Sequence, residues 1–151
     1  MRKIGKTASS VGLLLALIGP SPHSSAEEGT NDTTTAQTQR ASKLNEALKQ
    51  GASEMNNGLP IMVDSETRLD STSGGNMSFR YNLTMVNLSP EDLDLEGFTN
   101  EMQPLLVNKV CTTKEMQVFI ENGVPVTYSY YGKGGKHFAS FTVEPDHCKS
   151  N

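Results

Sequence analysis

Tryptophan is absent from this 151-residue chain, and its aromatic residues are four tyrosines and five phenylalanines. A core with so little aromatic area must lean on Leu, Val, Met and Phe, and the tryptophan platforms that would support a sugar-cleaving site are missing. Cysteine is scarce too: Cys111 and Cys148 stand far apart, with no Cys-x-x-Cys redox pair. With His23, His137 and His147 scattered, they supply too few ligands for a zinc site. No Gly-x-Ser-x-Gly elbow, Walker loop or EF-hand spacing occurs. These absences point away from enzymatic chemistry, and no cofactor or metal is expected. Positive charge is short as well, 13 Lys and Arg against 17 Asp and Glu, so the surface repels nucleic acid and anionic membrane.

What is present begins with an export signal. Arg2, Lys3 and Lys6 form a basic start, Val11 to Gly19 an apolar stretch, and Ser24-Ser25-Ala26 a small-residue cleavage site. Residues 1–26 are therefore expected to be a signal peptide, with the mature chain starting at Glu27. The apolar stretch spans about 15 Å as helix, half of a hydrocarbon core of about 30 Å, which excludes stable membrane insertion after cleavage. Removing three basic residues and no acidic one takes the formal charge from −4 to −7. A bacterial periplasmic or secreted location is expected. Export also supplies an oxidising compartment, and two cysteines allow one intramolecular pairing, so Cys111–Cys148 is expected as a structural disulfide.

Residues 27–40 are rich in Thr, Gln, Asn and Asp with little to bury, and read as a disordered leader. A single domain is expected over residues 41–151. Leu44, Ala47, Leu48, Gly51 and Met55 recur at helical spacing and define a first helix ending near Asn56-Asn57-Gly58. Ile61, Met62 and Val63 form a short extended segment, and Thr67 and Leu69 share one side of the stretch that follows. The clearest strand alternates Met77, Phe79, Tyr81, Leu83 and Met85 with polar partners. Ser89 and Pro90 look like a helix start. Phe98, Met102, Leu105, Leu106 and Val110 continue at helical spacing, with Pro104 expected to kink or interrupt the helix. Thr113 is placed to cap a short helix that Gly123 ends. A final hairpin alternates Val126, Tyr128 and Tyr130, turns at Gly132 to Gly135, and returns through Ala139, Phe141 and Val143. The expected fold is α+β: a four-stranded antiparallel sheet of two hairpins packed against helices, closed by one disulfide.

Several groups are weighed for function. Glu91, Asp92, Asp94, Glu96 and Glu101 suit a helix N-terminus better than a cation site. Asp64, Glu66 and Asp70 flank Arg68, which invites a carboxylate pair or an ion pair with Arg80 across the hairpin. Lys133 and Lys136 sit on a glycine-rich hairpin tip suited to an acidic partner, and Tyr131 points away from the core face shared by Tyr128 and Tyr130. The methionines Met55, Met77, Met85, Met102 and Met116 offer adaptable apolar walls, Met55 and Met102 foremost.

The stretch from Leu105 to Cys148 resembles the small α+β pilotins of bacterial type II secretion. The resemblance lies in a helix ending in Val110-Cys111-Thr112, a short helix to Asn122-Gly123-Val124, Tyr128-Ser129-Tyr130, a glycine turn, and a return strand closing on Cys148. It implies binding a short helix of an outer-membrane secretin subunit and escorting it through the periplasm. Members of that family are typically lipoproteins, whereas no cysteine follows the apolar stretch here. The expected function is an exported, non-enzymatic module that binds another envelope or secreted protein through a groove between helices and sheet, in secretion or envelope assembly. An inhibitor or immunity protein against a toxin or hydrolase is the alternative. No residue pattern assigns an oligomeric state.

Overall fold

The computed structural model describes residues 30–149; the signal-peptide reading and the start at Glu27 lie outside them. The chain runs α1 (Thr30–Asn56), β1 (Ile61–Met62), β2 (Thr67–Gly75), β3 (Ser78–Met85), α2 (Leu95–Thr112), α3 (Gln117–Glu121), β4 (Val126–Tyr131) and β5 (His137–Val143). Short 3-10 turns precede α2 and α3 and follow β5.

The five strands form one sheet in the order β1-β2-β3-β4-β5. This corrects the expected four-stranded antiparallel sheet in two respects. Ile61 and Met62 pair with Leu69 and Arg68, so the short extended segment is a strand. The two hairpins meet in parallel, with Phe79 opposite Val126 and Leu83 opposite Tyr130. The cause is the connection between them: the 18-residue α2 is about 27 Å long, matching a strand's length and returning the chain to the end where β3 began.

Alternation then sorts the two faces of the sheet. Phe79, Leu83, Val126, Tyr128, Tyr130, Phe141 and Val143 are buried beneath the helices, all but Phe79 in one cluster with Leu106 and Val110 of α2. Phe98 fixes the start of α2 by meeting Tyr130 and Phe138 edge-on, at 5.5 and 5.4 Å between ring centres. Leu48 and Ala52 of α1 cover Phe79 and Val124. A polar clamp holds α1 to β2. The Asn56 amide donates to the Thr72 carbonyl at 2.9 Å and accepts from its N–H at 2.7 Å, as a neighbouring strand would. A register shift between Leu69 and Ser71 sets Asp70 in a bulge of β2.

Local starts and stops also differ from expectation. α1 runs back to Thr30, so residues 30–40, placed in the leader, are helical. No Pro or Gly interrupts them, and residues 32–40 are exposed. Ser89 makes no side-chain cap; Pro90–Asp92 is a 3-10 turn, and Asp94 caps α2 by accepting from the Gly97 N–H at 3.1 Å. α2 is continuous through Pro104. Thr113 likewise makes no side-chain cap.

Burial holds the core tyrosines neutral. It pushes the Tyr130 phenol up to about 12, and pushes Tyr128 up as well, with Tyr81 and Tyr130 adding to the effect. A raised folded-state value means the neutral phenol is favoured by folding. That stability is whole below the unfolded value of about 10 and is lost as pH climbs from there through the folded values. Far-ultraviolet circular dichroism should therefore show alkaline unfolding beginning above about pH 10, and Tyr130→Phe should shift it upward. An unchanged profile in the variant would remove Tyr130 from the cause.

Candidate functional site

Three concave regions matter, and they divide the residues singled out by the sequence. The first lies between α2 and the β1 segment. It encloses about 240 Å³ and is lined by Val63, Met85, Phe98, Met102, Leu105 and Tyr130, among others. α2 presents Met102 and Leu105 one turn apart here, and Leu105 is 62% exposed. Val63, which lines the cavity across from them, is half-exposed, as are its chain neighbours Ile61 and Met62. So many large apolar side chains left in water beside a cavity mark a surface suited to a partner.

Asp64 and Lys109 add charged groups to its lining. Asp64 accepts from the backbone N–H of Glu66 at 2.8 Å and of Thr67 at 2.7 Å, shaping the turn into β2. The Glu66 bond first, then that of Thr67, holds its carboxyl below the usual carboxylate range; Lys109 adds a smaller attraction.

The second region lies between α1 and α3 and encloses about 230 Å³. Leu44, Leu48, Met55, Phe79, Val118 and Phe119 line it, almost wholly apolar. Met55 belongs here and is 41% exposed.

The third lies on the uncovered face of the sheet, opposite the helices. It encloses about 610 Å³ and is lined by Arg68, Asp70, Asn82, Thr84, Tyr131 and Lys133, with Ser71, Val86 and the glycines of the β4–β5 turn. Arg68 and Thr84 both hydrogen-bond the Asp70 carboxylate. The Arg68 pair thus forms with Asp70, whereas Arg80 donates to Ser129 at 3.2 Å. Lys133 is set in place by the turn's docking. Its N–H donates to Leu88 at 2.7 Å, and a Cβ on Gly132 would lie 2.5 Å from the Pro90 ring. Lys136 does not line the region; it pairs with Glu91 at 2.7 Å, and that hydrogen bond lowers the Glu91 carboxyl.

The five candidates do not converge. Met102 marks the α2 groove, Met55 the α1–α3 groove, and Tyr131 and Lys133 the open face. Val63 and Leu105, which wall the α2 groove, were not singled out. Their signal was three consecutive apolar residues after Pro60 and an apolar residue three past Met102. Among the described residues no cluster of His, Cys, Asp and Glu could hold a metal ion, and no helix is long and apolar enough to cross a membrane.

The architecture is thus a two-layer α+β sandwich with a mixed sheet and a Cys111–Cys148 disulfide. Solved structures of small α+β pilotins have a similar fold. The chain is similar to the pilotin EpsS from the Vibrio vulnificus type 2 secretion system at 14% identity and a TM-score of 0.62, over 74% of this chain and 96% of that one. It is similar to the type II secretion system pilotin AspS from Vibrio cholerae at 13% identity and a TM-score of 0.58, over 75% of this chain and 99% of that one. A Pseudomonas aeruginosa protein inferred to be secreted matches at 17% identity and a TM-score of 0.61, over 70% of this chain and 93% of that one. No family model and no curated protein sequence matches the chain. At these identities the likeness is one of fold.

Proposed function

We propose that this is an exported, non-enzymatic accessory protein of bacterial secretion or envelope assembly, which holds a short amphipathic helix of another envelope protein between α2 and the β1 segment. The observation that carries the reading is the pair of exposed apolar side chains, Val63 and Leu105, that line one cavity together with Met102. A helix presenting apolar residues at i, i+3 or i+4 and i+7 offers the matching stripe. Asp64 and Lys109 are available to pair with charges of opposite sign on it. Met85 and Met102, unbranched and polarisable, suit a floor that must accept foreign side chains. The pilotin-like fold makes a secretin subunit the first helix to try.

The test is capture from an envelope extract, followed by titration of a synthetic helix from whatever protein is recovered. Leu105→Glu and Val63→Glu are each expected to weaken that helix at least 30-fold, about 2 kcal/mol. Both positions are exposed, so folding should be unaffected. Undiminished binding in both variants would exclude this groove. Recovery of a hydrolase or toxin whose activity falls on binding would favour an inhibitor instead.

A further inference from the structure

The open face of the sheet has a chemistry unlike that of the helix-side grooves. Successive residues of β3 there, Arg80, Asn82 and Thr84, stand opposite Thr127, Ser129 and Tyr131 of β4. On the other side, Asn82 faces Ser71 and Thr84 faces Arg68. The Asn82 amide donates to the Ser71 hydroxyl at 3.0 Å, which leaves the Asn82 carbonyl and the Ser71 hydroxyl proton for another partner. Beyond them Tyr131 stands edge-on to His137, 5.2 Å between ring centres, with Lys133 at the rim.

We propose that this face binds an acidic saccharide chain, with Asn82 and Ser71 reading sugar hydroxyls, Tyr131 packing on a ring and Lys133, with neighbouring Arg80, taking carboxylates. Charge argues for an acidic ligand. The chain as a whole carries a formal −4, yet the only carboxylate lining this region is Asp70, already engaged by Arg68 and Thr84. Among the described residues no carboxylate pairs with Lys133 or with neighbouring Arg80. The lining argues for a saccharide over a protein. Protein interfaces are anchored by apolar and aromatic side chains in desolvated pockets, and here only Val86 and Tyr131 are of that kind. Hydroxyls and amides that both donate and accept are the natural complement of a sugar, whose hydroxyls do the same. Tryptophan is not required, because one tyrosine ring suffices to cover the apolar face of one sugar.

Nuclear magnetic resonance titration of the full-length protein with oligogalacturonate tests this, with maltohexaose as a neutral sugar and poly-glutamate as an acidic non-sugar. Oligogalacturonate is expected to shift the amides of Asn82, Thr84, Tyr131 and Lys133, with affinity falling as salt rises. Lys133→Ala, at an exposed turn, should weaken it about tenfold; Tyr131→Ala should do the same and Tyr131→Phe should not. Should Tyr131→Ala disturb the fold, Lys133→Ala decides alone. Equal binding of poly-glutamate would reduce the site to a charge patch and overturn the proposal. So would equal binding of maltohexaose, shifts confined to the helix side, or no shift at millimolar oligogalacturonate.

Discussion

Gly74→Ala is expected to destabilise the protein by about 2–4 kcal/mol, a large part of the roughly 5–15 kcal/mol that holds a typical domain. A Cβ at residue 74 would lie 2.1 Å from the Leu48 carbonyl oxygen and 2.5 Å from its carbon. Both are backbone atoms of α1, so no flexible side chain can turn aside; the helix itself must lift. Lifting it strains the Asn56–Thr72 clamp and loosens Leu48 and Ala52 from Phe79. Gly51, also in α1, is the contrasting case. Nothing lies within 4 Å of its Cβ position, and Gly51→Ala should stabilise by about 0.5–1 kcal/mol through helix propensity. Urea unfolding followed by circular dichroism compares the two. Equal midpoints for Gly74→Ala and the parent chain would mean that α1 does not rest on β2 at this point.

How much of this was legible in the sequence depends on how local each feature is. The buried faces of β3 and β4 were readable because Phe79, Tyr81 and Leu83, and then Val126, Tyr128 and Tyr130, alternate with polar residues, and alternation is itself the imprint of a half-buried strand. The close approach at Gly74 was not, because in sequence Gly74-Gly75 reads only as a turn. β1 was readable only as a short extended segment, and it is a strand through its pairing with β2. The parallel contact of β3 with β4 is set by the path of residues 86–125, and hairpin signals cannot report how two hairpins meet.

The candidate site was legible in kind and not in place. Methionines on helices and a basic hairpin tip are local facts, and the sequence carries them. Whether they share a surface depends on which face each element turns outward. α2 turns Met102 into the cavity shared with Val63, α1 turns Met55 toward α3, and β4 turns Tyr131 to the opposite side of the sheet. Asp70 shows the same limit in miniature. A regular strand would alternate it predictably, but the shift in register beside it alters which partners it meets.

Cys148→Ser is expected to cost about 2–5 kcal/mol, and Cys111→Ser the same. The bridge spans 37 residues, and closing such a loop in the unfolded chain is worth about 4 kcal/mol on the entropic account. Its position gives the loss a functional direction. Cys111 lies in the last turn of α2 beside fully buried Val110, and Cys148 ends the 3-10 turn that follows β5, so the bridge ties the end of α2 to the far edge of the sheet. α2 also carries Met102 and Leu105. Freed at its end, it should hold the groove less firmly, and the Cys→Ser chains should bind a helix more weakly than the intact protein even where they remain folded. Urea midpoints with and without reductant separate the bridge from the side chains. Reductant should bring the parent chain down to the level of the single variants and leave those variants unmoved. If it shifts parent and variants alike, or neither, the disulfide does not clasp α2 to the sheet.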